Sequence, residues 1–160
     1  MDEEPLAFFI TFTIYGTFLQ GDNRWWRSRQ KGSQPPQPLL ESWHRDRLKH
    51  DIVLLNETQQ QIVESEINRL YDFRDWILRK ANARTNHVHV VVSDSGCSGG
   101  KVRDQIKGNC TRVLRESSSV FVGRPVWSVG GDWKCINSED DLEQAILYAG
   151  EVQDRKGIDA

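Results

Sequence analysis

The stretch Asn86-His87-Val88-His89-Val90-Val91-Val92-Ser93 constrains this chain more than any other. Four of its eight residues are valine, and turn-forming residues follow from Ser93 to Gly100, which predicts a β-strand. Side chains on a strand alternate between its two faces. His87, His89 and Val91 therefore share one face, and Val88, Val90 and Val92 share the other. The valine-only face demands a core. On the opposite face two imidazoles stand roughly 6.5 Å apart along the strand, the rise of two residues. Neutral imidazoles at that spacing can converge on one divalent cation when a third ligand comes from elsewhere. The same pair can equally be two half-exposed histidines, so the rest of the chain must decide.

Upstream, Leu6 to Phe18 reads as a first strand: Leu6, Phe8, Ile10, Phe12 and Ile14 alternate with Phe9, Thr11, Thr13, Tyr15 and Thr17. Asn56, with Gln59 three positions on, has the form of a capping box. Apolar residues at helical spacing then run to Asp72, predicting a first helix with one buried face. Trp76 to Ala83 is a strand that returns through Arg84-Thr85 into the histidine strand. Lys101 to Ser117 is a second helix, with Val102, Ile106, Cys110, Val113 and Leu114 on its buried stripe. Arg103, Lys107 and Thr111 step by four along another of its faces. Pro125 to Asn137 reads as strands or a hairpin turning at Gly130-Gly131. Ser138 caps a last helix with Asp141 at its third position, and Glu139 to Asp141 suit the positive end of the helix dipole. This order predicts an α+β fold: a ferredoxin-like, split βαβ antiparallel sheet with helices on one face. The histidine side is then expected to be open, where a large polymer substrate can lie.

The segment at about 20–51 is the least regular, and the rest of residues 1–160 is expected to form a single domain around it. Pro35, Pro36 and Pro38 argue for extended chain there and against a helix, and Ser42 to Asp51 for a short charged helix. Arg24, Trp25 and Trp26 mix cations with aromatic rings on which bases can stack. The alternative is that the tryptophans pin the loop to the core.

The net charge of −2 does not advertise a nucleic-acid binder, but basic residues gather at Arg24 to Lys31, Arg45 to Lys49 and Lys101 to Arg115. Cys97, Cys110 and Cys135 are too few and too far apart for a disulfide framework or a structural zinc site. No apolar run approaches a membrane span, and the N-terminus opens on Asp2, Glu3 and Glu4 instead of a basic then hydrophobic leader. A cytoplasmic protein that does not enter a membrane is expected.

Thr85-Asn86-His87-Val88-His89-Val90-Val91-Val92 resembles the His-hydrophobe-His motif of the HUH-type single-tyrosine transposases. Within that group it is most similar to the REP-associated tyrosine transposases. Trp127-Ser128-Val129-Gly130-Gly131, and the helix from Leu142 through Tyr148 to Gln153, fall in the family's order and spacing. The resemblance covers about Leu6 to Asp154.

It implies a transposase that cuts and rejoins single-stranded, hairpin-bearing DNA with a divalent metal, magnesium or manganese. Tyr148 would be the nucleophile, forming a 5′-phosphotyrosine intermediate of DNA transposition. Of the three tyrosines, Tyr71 sits on a buried helical stripe, whereas Tyr148 lies off the stripe of Leu142, Ala145, Ile146 and Ala149. The resemblance places His87 and His89 on the metal, with Gln153 as the favoured third ligand and Glu151 second. Val152, one turn after Tyr148, has no ligating atom. The helix of Arg103, Lys107 and Thr111 would lie near the DNA, unless its basic face is simply solvated. Family members act as monomers or as homodimers that share active sites.

Two other readings compete. One is a domesticated, non-catalytic nucleic-acid-binding protein of the same fold. The other is a histidine-triad nucleotide hydrolase, which needs a third histidine where Val91 stands.

Overall fold

The computed structural model describes residues 4–17, 26–28, 32–35, 37–93 and 95–151. In chain order the elements are β1 (Ala7–Thr13), β2 (Trp26–Ser28), β3 (Gly32–Gln34), α1 (Pro38–Asp46), α2 (Glu57–Arg74), β4 (Ile77–Ala83), β5 (His87–Ser93), α3 (Gly99–Ser117), β6 (Asp132–Ile136) and α4 (Glu139–Glu151). A four-stranded sheet runs in the order β4-β5-β1-β6, and every neighbouring pair is antiparallel. With α2 between β1 and β4, and α3 between β5 and β6, this is the expected α+β, ferredoxin-like split βαβ arrangement. β2 and β3 form a separate two-stranded ribbon.

The period-two patterns set the two faces. Ile10, Phe12 and Ile14 join Val88, Val90 and Val92 in the main core. That core is closed by Val63, Ile67, Leu70 and Tyr71 of α2 and by Val102, Ile106, Cys110 and Leu114 of α3. The helix α2 starts where the capping box predicts, with Asn56 and Gln59 each bonding the other's backbone N–H. Such a cap contributes about 1 kcal/mol. Glu66, buried on α2, pairs with Arg69 at 2.6 Å and with Arg112 of α3 at 3.5 Å, tying the two helices together.

Three expectations need correction. Pro38 does not exclude a helix: it stands in the first turn of α1, where its missing N–H costs nothing and its fixed φ fits. The helix thus begins before Ser42 and ends at Asp46. Between Pro125 and Asn137 only β6 is a strand; Trp127 makes an isolated bridge to Ile14. The histidine face of the sheet is not open. Helix α4 lies across it and closes a second, smaller core of Ala7, Val91, Ile136, Leu142 and Ala149.

A β-bulge between Leu78 and Lys80 decides what β4 contributes. Leu78 opposes Val92 and packs on the main core. One extra residue, Arg79, then reverses the parity, so that Ala81 and Ala83 face the main core while Lys80 and Asn82 turn to the histidine face.

Candidate active site

Register fixes the site. Across the sheet, Asn82 opposes His89, His89 opposes Thr11, and Thr11 opposes Asp132, so these four stand in one row on the histidine face. His87 opposes Thr13 in the adjoining row. The two histidine rings lie 4.9 Å apart between centroids, on the shared face that the sequence predicts. Both are buried, His87 to 4 % and His89 to 6 % exposure, and α4 covers His89 through Tyr148.

Each ring is held at Nδ1. His87 Nδ1 lies 2.6 Å from the Asn86 side-chain oxygen, and His89 Nδ1 lies 2.9 Å from the Thr11 hydroxyl. A carboxamide oxygen only accepts, so His87 Nδ1 carries a hydrogen. A hydroxyl can donate or accept and so serves either tautomer of His89. Outer partners of this kind fix the tautomer and aim of metal-binding imidazoles. Burial, with His87 alongside, pulls the His89 pKa from 6.5 down to about 3. His89 is therefore neutral at physiological pH, the form that binds a metal.

The two oriented imidazoles, His89 of them neutral, fit two corners of a divalent-metal site. Among the described residues no group of three or more His, Cys, Asp or Glu completes such a site. Gln153, the expected third ligand, lies outside the described residues.

Tyr148 comes from α4. Its ring lies 5.5 Å from that of His89 and 5.9 Å from that of Phe9, which itself lies 5.3 Å from His89. Tyr148 is 48 % exposed, so it borders the histidines and faces solvent at once. The other tyrosines are elsewhere. Tyr71 is buried in the main core, where desolvation pushes its pKa up. The Tyr15 hydroxyl accepts a bond from the Lys49 backbone at 3.0 Å.

The α3 stripe faces a loop of the protein. Lys107 Nζ donates to the carbonyls of Ser128 (2.9 Å) and Gly130 (2.6 Å), and burial lowers its pKa. Arg103 donates to Gly131 O at 3.2 Å and to Asp104. Thr111 donates to Lys107 O and accepts from Trp127 Nε1 at 3.0 Å, so its hydroxyl is committed at both ends. The spacing of four is legible in the sequence; its use as a brace for residues 127–131 is not. Gly131, at φ 119°, is part of the same fit, since a Cβ there would stand 2.9 Å from Thr11 O. Trp26 lies on β2, and Arg24 and Trp25 fall outside the described residues.

Sequence reasoning missed Asn82. Its amide donates to Ala149 O at 2.9 Å and Gly150 O at 3.4 Å, joining β4 to the tyrosine helix. Only the Arg79 bulge puts it there, and no glycine or proline marks that bulge.

The fold and the site together define an α+β protein with a paired-histidine strand beneath a tyrosine helix. A solved structure of a REP-associated tyrosine transposase bound to a REP hairpin shares this fold, with a TM-score of 0.52 over 93 % of this chain and 70 % of that chain. At 15 % sequence identity the likeness establishes the fold. No family model and no curated protein matches the sequence. Among the described residues no helix is long and apolar enough to cross a membrane.

Proposed function

We propose that this protein is a DNA strand transferase of the single-tyrosine kind, acting on single-stranded, hairpin-bearing DNA in DNA transposition. One observation carries the reading: the half-exposed Tyr148 ring borders the buried, paired His87 and His89. In this reading Tyr148 is the nucleophile, and His87, His89 and Gln153 hold magnesium or manganese. When bound, that cation would polarise the scissile phosphate and offset its developing charge. The Tyr148 oxygen attacks phosphorus, and the bond from phosphorus to the 3′ oxygen breaks. The phenol proton ends on that oxygen or in solvent. The products are a 5′-phosphotyrosine and a free 3′-hydroxyl, and the retained ester lets a 3′-hydroxyl later rejoin strands.

The nucleic-acid surface in this reading includes Arg103, whose guanidinium keeps further N–H donors beyond those bonded to Asp104 and Gly131. Lys107 and Thr111 serve it by bracing the 127–131 loop. Arg24, Trp25 and Trp26 would contribute cations and stacking rings. The chain may be tested as monomer or homodimer alike: incubation with a labelled hairpin oligonucleotide and Mn²⁺ should give a covalent adduct on a denaturing gel, abolished by EDTA. Hairpin binding without any adduct would instead support a non-catalytic binder of the same fold.

A further inference from the structure

We propose that Asn82 is a positioning residue that latches the tyrosine helix to the histidine strand. This rests on the strand-transferase reading for its catalytic consequence, but not for its structural one. Asn82 stands opposite His89 in the β4–β5 register and on the same face. From there its amide nitrogen reaches the Ala149 carbonyl at 2.9 Å and the Gly150 carbonyl at 3.4 Å. Those carbonyls belong to the described C-terminal part of α4. Tyr148 immediately precedes them. One side chain thus ties the backbone beside the nucleophile to the residue across from a metal-binding histidine.

Two further observations point to the same end of α4. Lys80, two residues before Asn82 on the same face, approaches Gly150 so closely that a Cβ there would lie 3.1 Å from Lys80 Cε and 3.4 Å from Nζ. The apolar grip on α4 comes from buried Leu142 and Ala149 and partly buried Ala145 and Ile146. The Asn82 bonds add a polar hold on the backbone immediately after Tyr148, which that packing does not supply. The bulge at Arg79 gives β4 this task, since without it Lys80 and Asn82 would face the main core.

The test uses the full chain with Asn82→Ala and Asn82→Asp. The aspartate keeps size and shape, but ionised it cannot donate to a carbonyl. Hydrogen exchange of the α4 amides from Ile146 to Gly150 is measured without DNA. The single-turnover rate of adduct formation and the Kd are measured with a single-stranded hairpin oligonucleotide. In both variants the α4 amides should exchange about fivefold faster, the free-energy scale of one net hydrogen bond, with α2 and β5 amides unchanged. The adduct rate should fall by a similar factor at unchanged Kd, and aspartate should not rescue it. Wild-type exchange of these α4 amides for both variants would overturn the proposal, as would a wild-type adduct rate in Asn82→Asp. If the wild-type chain forms no adduct, the strand-transferase reading fails while the exchange measurement still decides the latch. Should Asn82→Ala not fold, Asn82→Asp carries both arms.

Discussion

The rings of His89 and Tyr148 meet edge to face, 5.5 Å apart between centroids and 71° between planes. One comes from a strand in the middle of the sheet, the other from α4. Phe9 touches both and seals the junction from β1. His89 is consequently dry and aimed, while Tyr148 keeps one side in solvent, where a polymer strand can reach it.

The dry setting of His89 has a consequence for stability in metal-free protein. Its folded pKa, about 3, lies below the ordinary 6.5. Between those values the unfolded chain binds a proton that the folded chain refuses, so folded stability rises with pH. The contribution is fully present above pH 6.5 and is lost as pH falls toward 3. The unfolding free energy from denaturant titrations in EDTA should fall on acidification by up to about 1.4 kcal/mol per pH unit from this group. His89→Gln should flatten that slope. An unchanged slope in His89→Gln would show that His89 protonates freely in the folded state.

The hydrogen bonds at Nδ1 predict how metal binding responds to mutation. Calorimetry should find a Mn²⁺ site in the wild-type chain. His89→Ala should remove it without unfolding the protein. Thr11→Val, which keeps the shape and deletes the hydroxyl bonded to His89, should weaken it about ten- to a hundredfold. Equal Mn²⁺ affinity in wild type and His89→Ala would place the ion elsewhere.

Lys107 and Arg103 should separate. Lys107 holds two loop carbonyls, so Lys107→Met should cost about 1–3 kcal/mol of stability. Its salt dependence of oligonucleotide binding should stay as in wild type. Arg103→Gln should reduce the slope of log K against log salt by about 0.7, the amount for one phosphate on a single strand. A reduced slope in Lys107→Met with no loss of stability would reverse the two roles.

The features legible in the sequence are those with a local period or a local cap. Alternation gave the faces of β1 and β5 and the shared side of His87 and His89. The Asn56–Gln59 box gave the start of α2, and the offset of Tyr148 from the stripe of α4 gave its exposure. What stayed hidden depends on a single displaced residue or on packing between distant segments. The Arg79 bulge carries no composition signal, yet it turns Asn82 toward α4. A basic stripe on α3 has the same spacing whether it meets phosphates or, as Lys107 does, carbonyls some twenty residues away. The cover of the histidine face follows from where α4 docks, through Leu142 and Ala149, which a linear pattern does not specify.

The central claim is that Tyr148 attacks DNA beside the histidine pair, and peptide mapping of the covalent adduct tests it most directly. The wild-type chain is reacted with a hairpin oligonucleotide and Mn²⁺, digested, and the nucleotide-bearing peptide sequenced by mass spectrometry. The modified residue should be Tyr148, and Tyr148→Phe should bind the oligonucleotide with wild-type affinity and form no adduct. A nucleotide carried on Tyr15 or Tyr71, or an adduct that survives in Tyr148→Phe, would contradict the account.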